Sequence, residues 1–396
     1  MKVLQINSVC GIKSSGRICT DIASFLEENG HTCQIAYGRE ECPEPLSRFS
    51  YKFTNEFDVR VNALLARVFD NAGFGTKRAT KKLIKWIDKY NPDIIHLHNI
   101  HGYYINIEVL FTYLKDKDIP VVWTLHDCWP FTGHCAYFDF VGCNKWTDGC
   151  HNCPQKKEYP ASYLRDKSKF NYFKKKKLFS SLDKLTLLTP SSWLSECVKN
   201  SFLKKYPVKV FNNGVDTTFF KPTISDFKQK HGINDKIMLL GVASVWDRRK
   251  GLDDFVELSK KLDDKYKIVL VGLNKEQMAS VPQNIITIPR VLEAAEIAEI
   301  YSAADIYLNL SVEETMGLTT VESLACGTSV IVYDRTAVPE FVDNSCGAIV
   351  KARDIDALVH QIETINIDSS ICVKAASKFE IRNRYSQLLS LYEELI

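Results

Sequence analysis

Apolar residues gather into short, nearly continuous runs along this chain, at residues 3–9, 33–37, 94–97, 121–125, 185–188 and 208–211, and again at 238–242, 266–271, 285–288, 306–310 and 329–333. Between many of them lie stretches with apolar positions at helical spacing, such as 18–29 and 77–90. Runs apolar on both faces suit strands of a parallel sheet covered by helices, and their alternation with helical stretches specifies an α/β, doubly wound architecture. The segment 38–75 is long, polar and aromatic, and gives no regular element.

The pattern starts twice. Residues 3–9, the turn holding Gly11, Ser14, Ser15, Gly16 and Arg17, and the helix after it make one strand–loop–helix opening; residues 238–242, the loop 243–251 and its helix make another. Between them Asn212, Asn213, Gly214 and Asp216 form a turn signature, which places the domain boundary near residue 206. The expected organisation is a first domain over 1–205, a second over 206–376, and a terminal helix over 377–396 with Tyr385, Leu388, Leu389 and Tyr392 on one face.

Composition changes this picture little. The 396 residues and 45% hydrophobic content support two full cores. No apolar stretch reaches the roughly 18 residues that span a bilayer, and the first residues lack a signal-peptide pattern, so the expected location is the cytosol. Residues 1–200 carry 28 Lys and Arg against 21 Asp and Glu, the remainder 23 against 27, which tilts the first half toward anionic partners. No nucleic-acid partner is expected.

Cysteine usage is more informative. Eight of the 13 cysteines are scattered and read as small buried hydrophobes. The other five crowd into a segment of about 128–154, where Cys150 and Cys153 have the tight spacing of half a zinc site. Cys135, Cys143, Cys150 and Cys153 are expected to hold a structural zinc that orders this insert, with unmetallated thiols as the alternative. Further on, Lys174, Lys175, Lys176 and Lys177 stand beside Phe170, Tyr172, Phe173 and Phe179. They read as a solvated face or as a basic, aromatic-edged surface resting on anionic lipid at the membrane.

Candidate chemistry sits at strand ends, where ligands collect in open α/β sheets. The strand at 94–97 delivers His96, His98, Asn99 and His101, and the strand at 121–125 delivers His126 and Asp127. Neighbouring side chains on extended backbone point opposite ways, so His126 and Asp127 are no dyad, and His126 is the substrate-facing member. In the second half Arg248, Arg249 and Lys250 precede Gly251 and a helix start, an arrangement of cations and free amides that suits a diphosphate. The stretch SVEETMGLTTVESLACG, residues 311–327, follows a strand and leads into another helix, with Glu314 and Glu322 on either side of Gly317. Carboxylates beside a diphosphate would repel it, so they are expected to face sugar hydroxyls, which donate to them. Asp354 and Asp356 make a DxD by spelling only and offer no credible catalytic metal site.

The Gly-rich first turn, His126, the NGVD and RKG loops, and Glu314 and Glu322 followed by Leu-Ala-Cys-Gly resemble the GT-B glycosyltransferases of family 4 over nearly the whole chain. The His-Asp-Cys-Trp-Pro-Phe-Thr-Gly run resembles the branch that assembles bacterial surface polysaccharides. The resemblance implies two Rossmann-like domains facing across a cleft, the first for the acceptor and the second for a nucleotide diphosphate sugar, with the terminal helix returning to the first domain. It implies retaining hexosyl transfer to a glycan or polyprenyl-diphosphate-linked acceptor, without a catalytic metal, at the inner face of the cytoplasmic membrane. By position, Glu322 matches the ribose-binding glutamate and Glu314 the one facing the donor sugar. Gly317, Leu318 and Thr319 match the backbone donors to the diphosphate, Lys250 its lysine, and Gly16 the first-domain glycine beside the phosphates. Pro289, Arg290 and Val291 fall where the base is held, His126 matches the histidine near the reacting centre, and His98, Asn99 and His101 are the acceptor-side candidates. One departure stands out: the family's arginine five or six residues before the lysine is Val245 or Ser244 here, which leaves Arg248 or Arg249 as second cation. An inactive nucleotide-sugar-binding homologue and a GT-B sugar-nucleotide epimerase are the rival readings.

Overall fold

Strand, turn and helix alternate in the computed structural model, which describes residues 1–291 and 293–396. Residues Met1–Phe211 with Tyr385–Ile396 form one unit, and Asn212–Arg384 the other.

The first unit holds the strands β1 (Lys2–Ile6), β2 (Thr32–Tyr37), β3 (Ser50–Lys52), β4 (Ile94–Leu97), β5 (Val121–Thr124), β6 (Leu185–Thr189) and β7 (Val208–Val210). Its helices are α1 (Lys13–Glu28), α2 (Glu56–Phe69), α3 (Lys77–Tyr90), α4 (Ile107–Lys115), α5 (Ser168–Phe179) and α6 (Ser192–Lys199). The strands pair in parallel in the order β3-β2-β1-β4-β5-β6-β7. Chain order therefore reverses between β1 and β4, the crevice where doubly wound sheets take ligands. Helices cover the sheet because its strands are apolar on both faces: Trp123 of β5 is fully buried, with Phe111 of α4 at 5.7 Å and Phe179 of α5 at 4.9 Å between ring centroids.

The second unit repeats the plan with β8 (Ile237–Val242), β9 (Tyr266–Val271), β10 (Ile286–Ile288), β11 (Ile306–Asn309), β12 (Ser329–Tyr333) and β13 (Gly347–Val350), in the order β10-β9-β8-β11-β12-β13. The reversal falls between β8 and β11. Around the sheet lie α7 (Phe227–Lys230), α8 (Leu252–Lys261), α9 (Lys275–Ser280), α10 (Ala294–Ala303), α11 (Leu318–Ala325), α12 (Ile355–Thr364) and α13 (Ser369–Ser377). The last helix, α14 (Ile381–Leu395), begins in this unit, while its residues from Tyr385 on belong to the first. There Tyr385 packs on Phe25, and the buried Tyr392 hydroxyl meets His96 Nδ1 at 2.5 Å.

Three elements depart from the sequence expectation. Helix α1 starts at Lys13, so Gly16 lies in its first turn and not in a loop; its carbonyl accepts from Gly11 N–H at 3.0 Å. The segment 38–75 contains β3 and the whole of α2, whose start is capped by the Asn55 side chain accepting from Asp58 N–H. Residues 347–350 add β13 at the sheet edge, beyond the strand at 329–333.

Candidate functional site

In the second unit the loops after β8 and β11 are stitched together at the strand reversal. Gly251, the residue before α8, has φ +74°, and a Cβ there would stand 2.3 Å from Leu310 O. Only glycine allows that approach, which sets the start of α8 against the exit of β11. Val312 N–H then donates to Arg249 O at 2.8 Å, which fixes the two loops to each other. On this frame Lys250 Nζ contacts Glu314 Oε1, which also accepts from Ser311 Oγ at 3.2 Å, and Glu314 N–H donates to Thr336 Oγ1 at 2.9 Å.

The two arginines part company. Arg249 is buried, with Nη2 on Asp247 Oδ2 at 2.6 Å and Nη1 on Glu313 O at 3.2 Å, so it braces the loop. Arg248 is exposed.

Gly317 caps the start of α11 and brings no side chain to it, leaving that helix end to its own amides, including those of Leu318 and Thr319. A helix start of this kind attracts anions. Two buried tyrosines hold the helix: Tyr307 OH donates to Thr319 Oγ1 at 2.7 Å, and Tyr301 OH to Glu322 Oε2 at 3.1 Å. Neither tyrosine stands out in the sequence, because an aromatic in a buried strand or helix reads as core. Pro289, Arg290 and Val291 follow β10 at the sheet edge, the first two exposed. The structure thus brings Lys250, Ser311 and Glu314 into contact. Gly317, Leu318, Thr319 and Glu322 belong to α11 and its cap.

In the first unit a buried polar chain leads to His126. Gln5 Nε2 donates to Cys19 O at 2.8 Å, which turns Gln5 Oε1 toward His98 Nε2 at 3.0 Å. His98 must then carry its proton on Nε2 and accept at Nδ1, where His126 Nε2 stands 3.0 Å away. Hence His126 Nε2 is the protonated nitrogen, and its Nδ1 keeps the lone pair. Burial pushes the His126 imidazole down to about 4, with His101 adding to that and Asp127 opposing it; burial holds His98 well below the usual histidine range, and His96 at about 3. All three rings are neutral at neutral pH. Gln5 was legible only as one polar residue inside an apolar strand.

His98 and His101, expected on the acceptor side, both lie in the interior. His101 Nε2 meets Asp127 Oδ2 at 2.7 Å and its Nδ1 meets Tyr159 OH at 3.0 Å, so the partner of Asp127 is His101 and not the adjacent His126. Asn99 is half-buried, its N–H donating to Asn7 Oδ1 at 3.2 Å. Gly16 stands at the β1 end of the reversal, where a Cβ would come within 3.0 Å of Val9 Cγ2.

Two expectations from the sequence do not stand as stated. Cys135, Cys143, Cys150 and Cys153 do line one small cavity of about 10 Å³. Among the described residues, however, no group of three or more His, Cys, Asp or Glu is placed to hold a metal ion. A zinc site therefore has no support here, and three of the four thiols have other contacts. Cys135 S–H donates to Cys153 and pulls that thiol down to about 7, Cys150 Sγ accepts from Gly133 N–H at 3.1 Å, and Cys135 and Cys150 pack in the hydrophobic cluster with Phe138 and Trp146. The lysine run is not one surface either. Lys175 is buried, its Nζ 3.6 Å above the Trp129 ring and donating to Trp129 O, and burial lowers it to about 7. Tyr172 and Phe179 are buried with it, while Lys174 pairs with Glu108 at 2.9 Å.

Comparison with known proteins agrees with this architecture. Residues 15–219 match the model described as Glycosyltransferase Family 4, and residues 223–384 the one described as glycosyl transferases group 1. The chain is 24% identical over 399 residues to the putative colanic acid biosynthesis glycosyl transferase WcaC of Escherichia coli (strain K12), covering 97% of this chain and 95% of that one. Among solved structures it resembles sucrose-phosphate synthase from Thermosynechococcus elongatus, with a TM-score of 0.69 and 15% identity, covering 100% of this chain and 98% of that one. It also resembles Anabaena HepE in complex with UDP, again with a TM-score of 0.69 and 15% identity, covering 100% of both chains. Two parallel Rossmann-like sheets, neighbours of GT-B fold and a family model spanning more than half its length place the chain in glycosyltransferase family 4.

Proposed function

We propose that this glycosyltransferase moves a hexosyl group, with retention of configuration, from a nucleoside diphosphate sugar to a glycan or polyprenyl-diphosphate-linked glycan in surface polysaccharide synthesis. The observation that carries the reading is the Lys250–Glu314–Ser311 contact beside the start of α11, at the strand reversal of the second unit. A cation and a helix N-terminus suit a diphosphate, and a carboxylate at the same place suits sugar hydroxyls. The likeness to WcaC, named for colanic acid biosynthesis, supports the polysaccharide assignment, and HepE bound to UDP supports a nucleotide sugar.

In this reading Lys250 and exposed Arg248 neutralise the diphosphate, the amides of Gly317, Leu318 and Thr319 bind it, and Glu322, held by Tyr301, accepts from the ribose hydroxyls. Pro289, Arg290 and Val291 flank the base. As the bond from the anomeric carbon to the phosphate oxygen breaks, that oxygen takes the electron pair, and the cations and amides stabilise the charge without a catalytic metal. The acceptor oxygen bonds to the anomeric carbon on the same face, and its proton passes to a phosphate oxygen. His126, neutral with its Nδ1 lone pair kept by His98 and Gln5, accepts from a sugar hydroxyl, while the Gly16 turn lies beside the phosphates and Asn99 on the acceptor side.

The test incubates the purified chain with nucleotide sugars, with and without lipid-linked glycan, and reads the anomeric configuration of the product by NMR. A new glycoside of the donor's own configuration supports the proposal. Inversion ends the retaining mechanism, donor turnover that ignores the acceptor favours the epimerase, and binding without turnover favours the inactive homologue.

A further inference from the structure

At the exit of β4 an arginine and two tyrosines meet over bare backbone. Gly102 has φ +99°, and a Cβ there would stand 3.0 Å from Arg39 Nη1 and 3.6 Å from Tyr159 OH, so glycine leaves the room that both groups occupy. Arg39 arrives from just beyond β2, its backbone N–H donating to Ser8 O at 3.0 Å beside the β1–β4 reversal. Tyr103 follows Gly102 with φ +73°, a conformation that side chains disfavour, and its ring meets the Tyr159 ring edge-on at 6.4 Å. Backbone held off its preferred region collects where ligands are gripped. Asp127 and His101 anchor Tyr159 from inside: the carboxylate accepts from His101 Nε2 at 2.7 Å, and His101 Nδ1 meets the Tyr159 hydroxyl at 3.0 Å. The ring is thereby held in place while Tyr159 stays 44% exposed.

One positive charge at this place is left over. Arg39 is half-buried, and among the described residues its guanidinium makes no ion pair and donates no hydrogen bond to the protein. The acids around it are committed elsewhere: Glu40 to Lys13, Glu56 to Lys52 at 3.3 Å, and Asp127 to His101. Arg67, the other cation within electrostatic reach of Tyr103, is exposed, so solvent and salt screen it. A guanidinium carries five N–H donors in a fixed plane, and leaving them unmet in a half-buried place is costly unless a ligand takes them.

We infer that Arg39, Tyr103 and Tyr159 form a subsite for an acidic sugar of the acceptor, a hexuronic acid residue whose carboxylate takes the Arg39 fork and whose ring lies on Tyr159. The inference rests on the glycosyl-transfer reading and narrows its acceptor. Shape and charge choose the occupant. The planar fork matches the two oxygens of a carboxylate, and one leftover positive charge balances one negative charge, whereas a lipid diphosphate brings several. The aromatic rings cover the C–H faces of a sugar, which a diphosphate lacks. Neutral sugars would leave the guanidinium unmet, so the subsite discriminates by charge as well as by shape.

Ligand-detected NMR titration of the full chain with methyl glucuronide and methyl glucoside tests the inference, because the two probes differ only in carboxylate against hydroxymethyl. The parent should bind the glucuronide at least about tenfold more tightly, the size expected of hydrogen bonds to a charged group. Arg39→Gln should erase that preference, and Arg39→Lys, which keeps the charge without the fork, should retain only part of it. Tyr159→Ala should weaken both glycosides alike, and unchanged thermal unfolding confirms that the variants fold. Equal or undetectable binding of the two glycosides by the parent, or a preference that survives Arg39→Gln, overturns the inference. So does geranyl diphosphate binding more tightly than the glucuronide and losing that affinity in Arg39→Gln, because the anion is then a lipid diphosphate. No nucleotide sugar is present, so failure here leaves the glycosyl-transfer reading standing, while a parent that consumes no donor fails that reading whatever it does with the glucuronide.

Discussion

Removing the Lys250 ammonium tests how the candidate donor site balances its charges. Lys250 and Glu314 are in contact, and their side chains are only 21% and 15% exposed. A charge about 4 Å away at an effective dielectric of about 20 interacts by roughly 4 kcal/mol. Lys250→Ala therefore withdraws attraction of that order from a diphosphate and leaves Glu314, still accepting from Ser311, as a negative neighbour without its lysine. Loss of one preorganised donor to developing charge costs roughly 10²–10³ in turnover, so kcat should fall by about that factor. The structure adds a sharper expectation for the nucleoside diphosphate without its sugar, measured by calorimetry. Glu314→Gln added to Lys250→Ala should recover part of the lost affinity, since the repelling carboxylate is gone and no sugar is present to miss it. Near-normal turnover in Lys250→Ala, or a double variant that binds the diphosphate more weakly than the single one, refutes the reasoning.

Three further outcomes follow. Gly251→Ala places a Cβ 2.3 Å from Leu310 O at φ +74°, so unfolding free energy should drop by more than the roughly 1–2 kcal/mol of the left-handed penalty alone, read by urea titration; a smaller drop contradicts the stitched-loop account. Tyr301→Phe removes the donor to Glu322, and since a hydrogen bond to a charged group contributes about 1.5–3 kcal/mol, nucleoside diphosphate affinity should fall roughly tenfold or more. A dideoxyribose analogue should be indifferent to this change, and an equal loss for the analogue removes Glu322 from the ribose. The lowered pKa values of His96, His98 and His126 give stability that is present above the unfolded histidine pKa and declines as pH falls toward about 4, because the unfolded chain takes up protons first. His134 acts oppositely: burial lowers its pKa, but Asp70 lifts it above the ordinary value, so its contribution is lost as pH rises. Three groups against one predict a lower urea midpoint at about pH 5.5 than at about pH 7.5, and an equal or higher midpoint at the acid pH contradicts the neutral buried cluster.

The two parallel sheets were legible because a strand buried on both faces must be largely apolar, as β5, β6 and β12 are apart from their small hydroxyl residues. Helix α2 was not, since a helix that turns Phe57 and Leu64 to solvent lacks the inward stripe by which amphipathic helices are recognised. Strand β13, with only Gly347 and Val350 buried, carries too little apolar signal. Side-chain direction defeats sequence reading more thoroughly. Lys175 reads as one of four solvated lysines, yet helical geometry turns that position inward onto Trp129. Arg249 and Arg248 are adjacent letters, and only the loop's backbone decides which is buried against Asp247. The candidate residues at strand ends were readable because topology fixes where strand ends go. Gln5, Tyr301 and Tyr307, which orient them, pass as core residues in sequence.

The most direct test of nucleotide-sugar use is a thermal-shift and donor-consumption screen over nucleoside diphosphate sugars, run in parallel on the parent chain and on Lys250→Ala. The account predicts that at least one donor raises the melting temperature of the parent and is consumed, and that Lys250→Ala loses most of both. A parent chain that no nucleotide sugar stabilises and that consumes none, or a Lys250→Ala variant that behaves as the parent does, contradicts it.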